Sequence, residues 1–314
     1  MLNGGQKGYI GRMQQTRRIG NDFGLTARMF LTMFLLAIVY LFFIAVLAKL
    51  GISLLLIVPI ALVLLLLQYY YSDRLILMSL GAREVSEQEA PQLHQIVSRL
   101  AQTTGIPKPR VAIIDTPVPN ALATGRDPNH ALVAVTTGIT QQLNEPELEA
   151  VIAHELSHVI HRDMRVMAMA SFFATVASFI VQMGMWGGVY GGGYGGRDRR
   201  DNGNAFIFVF LVSAAVWAIS FVLIRTLSRY REYAADRGSA LITREPSNLA
   251  SALMKISGTM QRIPDRDLRQ VEAANSLMLF PVAHKGSLSE IFSTHPSLEH
   301  RLARLQAMEA ELSR

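Results

Sequence analysis

Two histidines separated by three residues, with a glutamate directly after the first, form the pattern in this sequence best suited to chemistry. His154, Glu155 and His158 lie in the stretch VIAHELSHVI and match H-E-x-x-H. Residues four apart share one face of a helix, so both imidazoles can bind a single zinc ion. Glu155 is offset from the metal, where it can take a proton from water and deliver it to a leaving amine. The pattern predicts zinc-assisted hydrolysis of an amide bond.

A catalytic zinc site needs a third protein ligand and one open position. The chain contains no cysteine, and His161 and Met164 stand where a metzincin would have glycine and histidine, so that class is excluded. A downstream carboxylate is the remaining common ligand. Two apolar spans separate the motif from RYREYAAD, and an even number of crossings returns that stretch to the face of the histidines. Glu232 is therefore the predicted third ligand, and Asp236, one turn later, is predicted to fix the tautomer of a ligating histidine.

The charged residues around these groups leave an alternative open. Glu232 and Asp236 could simply pair with neighbouring arginines, at positions 229, 231 or 237. The residues that follow the motif helix are predicted to anchor it at the membrane surface; they are Arg162, Asp163 and Arg165.

The elements that must position these residues include membrane spans. Half of the residues are hydrophobic, 17% are charged, and the mean hydropathy is +0.27, which is high for a soluble protein. Four apolar stretches, at 29–47, 52–70, 166–186 and 206–224, are each long enough to cross roughly 30 Å of hydrocarbon. The alternative is that some of them are buried core helices of a soluble protein.

The distribution of charge predicts the orientation of the chain. Five basic residues against one acidic residue in positions 1–28 place this tail in the cytoplasm. The excess of Lys and Arg residues that gives the net charge of +6 is concentrated near the apolar spans. No basic repeat or set of stacking aromatic residues indicates nucleic-acid binding. The predicted organisation is a basic tail at 1–28, a membrane hairpin at 29–71, a protease segment at 72–165, a second hairpin at 166–226 and a second protease segment at 227–314. Both termini are then cytoplasmic.

The segments outside the membrane mix helices and strands. A capping-box pattern predicts a helix over 86–102, and β-rich runs predict strands at 111–114, 120–124 and 130–135. The motif helix is predicted over 146–163. Later helices are predicted over 227–241 and 247–260, from 287, and from 297 onward, with an irregular stretch at 263–285. A glycine-rich connector is predicted from 187 to 204.

Several motifs in order resemble the HtpX family of heat-shock membrane peptidases, which is related to the prenyl-protein CAAX endopeptidases. They are PNALATG at 119–125, VIAHELSH at 151–158, SRYREYAAD at 228–236 and SLSEIFSTHPSLEHRL at 287–302. The resemblance implies an α-helical integral membrane protein with four transmembrane helices and an α+β zincin-like cytoplasmic protease domain. One zinc ion per chain would be bound by His154, His158 and Glu232, with Glu155 as the catalytic base. The expected role is stress-response quality control of misfolded or damaged membrane proteins at the plasma (inner) membrane.

The same resemblance implies two further roles. An edge strand would bind an extended peptide by β-augmentation through Asn120, Ala121, Leu122 and Ala123. His295, which precedes a proline, would stabilise the oxyanion beside zinc. The basic tail is longer than the family's usual N-terminus, and disordered cytoplasmic or lipid-headgroup contact is its expected role.

Three other functions were weighed against a membrane endopeptidase. A CAAX-type protease generally needs more spans to enclose its chamber. A catalytically silent membrane scaffold that uses zinc only to fold has no need of a base such as Glu155. A four-span transporter is disfavoured because no span centre carries a charge or a broken-helix pair.

Overall fold

The computed structural model describes residues 23–49, 80–163, 166–178 except 169 and 173, 199–260 and 295–313, with isolated positions between 59 and 78 and at 262. Of residues 199–206 only the backbone is described. The predicted tail up to 22, nearly all of the span at 52–70, most of the glycine-rich connector, and the predictions for 263–285 and 287 lie outside the described residues.

A small mixed sheet lies at the centre of the part outside the apolar helices. Its strands are β1 Arg83–Glu84, β2 Arg110–Ile114, β3 Ala121–Thr124 and β4 Leu132–Thr136. The order across the sheet is β1-β2-β4-β3, with β2 parallel to β4 and β3 antiparallel to it. The three predicted strands are confirmed. The last begins two residues later than predicted because Asp127 caps a 3-10 turn over Pro128–His130.

Helices surround the sheet and continue into the apolar part. In chain order they are α1 Phe23–Lys49, α2 Pro91–Thr104, α3 Thr137–Gln142, α4 Glu145–Ile160, α5 Arg199–Thr243, α6 Pro246–Met260 and α7 Leu298–Leu312. The predicted start of α2 at residue 86 is wrong. Glu89 does accept from the backbone N–H of Ser86 (2.7 Å), but this closes a turn, and the helix begins at Pro91, where a proline is compatible only with the first turn.

One apolar core joins the sheet to the helices. The predicted apolar face of α2, Leu93, Ile96, Val97 and Leu100, is buried in it. The motif helix α4 is buried on nearly every side, because Ala150, Val151, Ile152, Ala153 and Leu156 expose none of their surface. A helix of this kind can hold polar groups away from water, which is the environment that a catalytic metal helix needs.

By length and composition, two helices in the described residues could cross a membrane: Phe23–Lys49, with 27 residues, and Ile207–Thr243, with 37 residues of α5. The apolar helical segment Val166–Ser178 is shorter. These three pack together, and the hydroxyl of Tyr40 on α1 donates to the carbonyl of Ala170. The first and fourth predicted spans thus coincide with long apolar helices, and the four-span arrangement remains a prediction.

Helix α5 is longer than expected. The predicted span at 206–224 and the predicted helix at 227–241 form one continuous helix of 45 residues. At 1.5 Å per residue it is about 68 Å long. It contains no proline, so nothing interrupts its hydrogen-bond ladder between the apolar half and the residues of the site. Glu232, the predicted third metal ligand, therefore lies on the same continuous helix as the apolar span.

Candidate metal centre

The motif helix α4 starts at a strong capping structure. The side chain of Asn144 accepts from the N–H of Glu147, and the carboxylate of Glu147 accepts from the N–H of Asn144, both at 3.0 Å. Such a cap stabilises a helix by about 1 kcal/mol. The buried Glu147 carboxylate also accepts from the hydroxyl of Ser251 and the amine of Lys255 on α6, at 2.6 and 2.7 Å. The start of the motif helix is thus fixed to the core by charge as well as by packing.

A close approach between α4 and α5 brings the two halves of the site together. A Cβ atom at Gly238 of α5 would lie 2.2 Å from Oγ of Ser157 on α4, so only glycine fits there. One residue on, the hydroxyl of Ser239 donates to the carbonyl of Ala150 at 2.7 Å. These contacts place the preceding turns of α5 beside the histidines of α4.

Two imidazole nitrogens and a carboxylate converge on one point. The Nε2 atoms of His154 and His158 lie 3.3 Å apart. The carboxylate oxygens of Glu232 lie 3.6 Å from Nε2 of His154 and 3.5 Å from Nε2 of His158. Ligands at about 2.0–2.1 Å from a tetrahedral zinc ion lie roughly 3.3–3.4 Å from one another. The spacing and the nitrogen and oxygen donors therefore fit a zinc ion.

Each imidazole is held from behind by a buried carboxylate. Nδ1 of His154 lies 3.0 Å from Oδ1 of Asp236, and Nδ1 of His158 lies 2.6 Å from Oδ2 of Asp163. A carboxylate only accepts hydrogen bonds, so each Nδ1 carries a proton and each Nε2 faces the metal position, where its lone pair binds a cation once any second proton has left. The contact of Asp236 agrees with the sequence-based expectation. The prediction that Asp163 anchors the helix at the membrane surface is wrong, since the residue is 3% exposed and faces His158.

The electrostatic environment suits proton transfer. Burial on its own lowers the pKa of His154, but hydrogen bonds with Asp236 and Glu232 raise it to about 9. Burial also lowers the pKa of His158. Burial raises the pKa of Glu155 to about 8, against the opposing charge of His154. A cation between the imidazoles would displace the proton on His154, so metal binding is coupled to proton release.

The predicted base lies between the metal position and the sheet edge. The N–H of Ala123 on β3 donates to Oε2 of Glu155 at 2.8 Å. The carbonyl of Asn120 accepts from the N–H of Thr136 (3.0 Å). Because backbone groups alternate in direction along a strand, those of Asn120 and Leu122 face β4, and those of Ala121 and Ala123 face the outer edge of the sheet. Of the four predicted substrate-binding residues, the outward pair therefore lies on the side of Glu155.

Two residues near the C-terminus complete the centre. Nδ1 of His295 lies 3.0 Å from Oε2 of Glu232. Arg301 on α7, 1% exposed, donates to both oxygens of Asp236, from Nε at 2.9 Å and from Nη2 at 2.6 Å. Asp236 is thus held at two points by an arginine from another helix, a partner that the alternative of pairing with arginines on α5 did not include.

Sequence reasoning missed Asp163 and Arg301 for different reasons. Arg301 lies three residues after Leu298 and four before Leu305, on the apolar stripe of α7, and a charge at a core position was a usable signal. Asp163 follows His158 by five residues, a spacing that carries no helical signal.

Comparisons with known proteins find relatives over nearly the whole chain. The model of the family described as Peptidase family M48 matches residues 87–309. A "Protease HtpX homolog" of Moorella thermoacetica is 59% identical over 297 residues, which cover 94% of this chain and 98% of that protein. A "Protease HtpX homolog 2" of Methanosarcina acetivorans is 55% identical over 302 residues, which cover 95% and 99%.

A solved structure shares the fold. The crystal structure of S. mikatae Ste24p superposes with a TM-score of 0.52 and 15% identity, covering 89% of this chain and 67% of that one.

Proposed function

The chain belongs to peptidase family M48 and is a membrane metalloprotease, and we propose that its metal is one zinc ion per chain held by His154, His158 and Glu232. The observation that carries this assignment is the convergence of three ligand atoms within 4.8 Å of one another. The two imidazoles already present their Nε2 atoms, because Asp236 and Asp163 occupy the Nδ1 side. Zinc accepts nitrogen and oxygen ligands of this kind in tetrahedral sites.

Glu155 is the general base in this proposal. Bound zinc would supply a Lewis acid that polarises the scissile carbonyl and makes water more acidic. The carboxylate of Glu155 takes a proton from the attacking water and delivers it to the leaving nitrogen. Burial raises the pKa of Glu155 to about 8 without metal, and the charge of bound zinc would lower it toward the range in which the carboxylate can accept a proton. The hydrogen bond from Ala123 keeps this carboxylate directed between the strand edge and the metal position.

The substrate is an extended polypeptide that is recognised chiefly through its backbone. Within the described residues β3 ends the sheet order, and its outer edge is the position where a peptide strand can be added. The outward N–H groups of Ala121 and Ala123 donate to Oδ1 of Asn120 and to Glu155, so a bound peptide would replace these contacts. Ala121 and Ala123 direct their backbone groups to that edge, and neither has a side chain large enough to select one sequence. The backbone groups of Asn120 and Leu122 instead pair β3 with its neighbour β4. This arrangement favours broad sequence tolerance over recognition of one motif.

Substrates are misfolded or damaged membrane proteins, and the role is protein quality control under stress. Support comes from the continuity of α5, which joins an apolar segment from Ile207 to the carboxylate of Glu232 without a break. A site fixed to a membrane helix lies close to polypeptides that leave the bilayer. In this proposal the chain crosses the plasma membrane four times, with the protease part and both termini in the cytoplasm.

The test uses the full-length protein in detergent, with zinc content measured by mass spectrometry and cleavage measured on unfolded casein. Glu155→Gln should lower the cleavage rate by about 10²–10⁴-fold and keep one zinc per chain, because only the base is removed. Glu232→Ala should lose stoichiometric zinc. Glu149→Gln, on the same helix as Glu155, breaks only a partly exposed ion pair with Arg99 of α2 and should change neither quantity.

Two results would contradict the assignment. Casein cleavage by Glu155→Gln at the wild-type rate would remove Glu155 from the mechanism. One zinc per chain in Glu232→Ala would remove Glu232 from the ligands. Loss of cleavage with one zinc retained in Glu155→Gln separates proton transfer from metal binding, and cleavage by the wild type argues against a scaffold that uses zinc only to fold.

A further inference from the structure

Asp163 lies at the back of one metal-binding imidazole, just beyond the last turn of α4. Its Oδ2 atom is 2.6 Å from Nδ1 of His158 and 3.0 Å from Nε of Arg231 on α5. The side chain of Asp163 is 4% exposed and that of Arg231 is 11% exposed. One oxygen thus joins the motif helix to the helix that carries Glu232.

The backbone before Asp163 is bent to make this contact. Five residues along a continuous helix correspond to a rotation of about 140°, which would direct Asp163 away from His158. Helix α4 instead ends at Ile160, and Arg162 adopts a left-handed conformation with φ of 56°. That conformation is unfavourable for a residue with a side chain. The surrounding contacts must offset this strain, as is common for residues held in place for function.

The contact determines which nitrogen of His158 can bind metal. A carboxylate has no proton to give, so Nδ1 of His158 is the donor and Nε2 is left with its lone pair. This Nε2 atom points to the same position as Nε2 of His154, 3.3 Å away. The arrangement matches the other imidazole, where Asp236 holds Nδ1 of His154 and is itself held by Arg301.

We propose that Asp163, held by Arg231, is a positioning residue that fixes the tautomer and ring orientation of His158 for metal binding. The inference rests on the zinc centre proposed above. Each imidazole is then backed by a carboxylate and an arginine, and the arginines come from two helices, α5 and α7. The metal centre is complete only when α5 is packed against α4 and α7 is packed against α5.

A purely structural role is the competing explanation. Asp163 could serve only to neutralise Arg231, since leaving one partner of a buried ion pair unpaired is strongly destabilising. The two roles differ in what happens when both charges are removed together. Neutral side chains of similar shape at both positions, as in Asp163→Asn with Arg231→Gln, leave no unpaired charge but still remove the carboxylate from His158.

The experiment compares Asp163→Asn, Arg231→Gln and the double variant as full-length proteins in detergent. Zinc affinity is measured by competition with a chelator, and the Tm is measured without metal. Asparagine can donate from its amide to Nδ1, which favours the proton on Nε2 and blocks metal binding there. We expect zinc affinity to fall about 10–100-fold in Asp163→Asn and to stay equally low in the double variant. Arg231→Gln should lose less than about tenfold, and Asp115→Asn, an exposed control, should match the wild type.

Recovery of zinc affinity in the double variant would overturn the proposal, because charge neutralisation would then explain the effect. Wild-type affinity in Asp163→Asn would overturn it as well. In both cases the wild type still binds one zinc ion through its three ligands, so the proposed function stands. Failure of the wild type itself to bind zinc would overturn the proposed function, and this inference with it. The metal-free Tm identifies a variant that has lost its fold, in which case the double variant gives the decisive affinity.

Discussion

At the scale of single residues, the centre is a set of buried charges held in pairs. Glu232 faces two imidazoles and His295, and Asp236 is bound at two points by Arg301. Buried charges are tolerated only when such partners replace the water that they lose. Each group is therefore fixed by at least one other before a metal enters, and this preorganisation favours binding of a small cation.

His295 gives a prediction at this scale. The ring lies against Glu232 and beside the metal position, where a donor can stabilise the oxyanion of a peptide carbonyl under attack. His295→Gln should lower kcat by about 10²–10³-fold while one zinc per chain is kept. Kinetic assay and metal analysis of the same preparation provide the measurement.

His300→Gln is the matched control for that variant, because His300 is an exposed histidine five residues later. It should leave kcat and zinc content unchanged. Loss of zinc from His295→Gln with a proportional loss of activity would contradict the oxyanion role. His295 would then act only by holding Glu232 in place.

At the scale of elements, the site depends on how closely α4 and α5 approach. Gly238→Ala inserts a Cβ atom 2.2 Å from Oγ and 2.7 Å from Cβ of Ser157, so the helices must separate. We expect the free energy of unfolding to fall by about 1–3 kcal/mol and zinc affinity to fall with it. The change is measured as a lower Tm together with chelator competition.

Two variants control that prediction. Gly258→Ala on α6 meets no atom within 4 Å and should be neutral or stabilising by up to about 1 kcal/mol, since alanine favours helix more than glycine. Adding Ser157→Gly to Gly238→Ala removes the clash and should restore zinc affinity. If Gly238→Ala behaved like Gly258→Ala, the close approach would not control the site.

At the scale of the whole molecule, α5 connects the apolar part to the catalytic part. Its apolar segment packs against α1 and Val166–Ser178, and its later turns carry Arg231, Glu232 and Asp236. A continuous helix transmits displacement along its length, so the position of the carboxylate ligand depends on how α5 is held among the apolar helices.

The four-span topology gives the prediction at this scale. Reporter fusions at residue 1 and residue 314 should both report the cytoplasm, and one at residue 192 should report the opposite side. The positive charges of the tail and an even number of crossings are the physical reason. Fusions to the Glu155→Gln variant provide the control, since an inactive protease cannot release its own reporter. Termini on opposite sides of the membrane would contradict the topology.

The sequence alone was sufficient for the parts of the site that follow local spacing. H-E-x-x-H needs only the helical repeat to bring His154 and His158 together, and the strands at 111–114 and 120–124 follow from short β-rich runs between turns. The even number of predicted spans between the motif and RYREYAAD places Glu232 on the side of the histidines, and in the structure its carboxylate oxygens lie 3.6 and 3.5 Å from the Nε2 atoms of His154 and His158. Asp236 then followed from the helical repeat.

Only the tertiary structure decided which partners hold these groups. Asp163 reaches His158 through a left-handed turn at Arg162, and Arg301 reaches Asp236 from a helix 65 residues later. The continuity of α5 and the glycine contact at Ser157 likewise depend on how helices pack. Periodicity in the sequence predicts interactions within one element. The pairing of buried charges depends on which surfaces meet when the chain folds, and local spacing does not predict that.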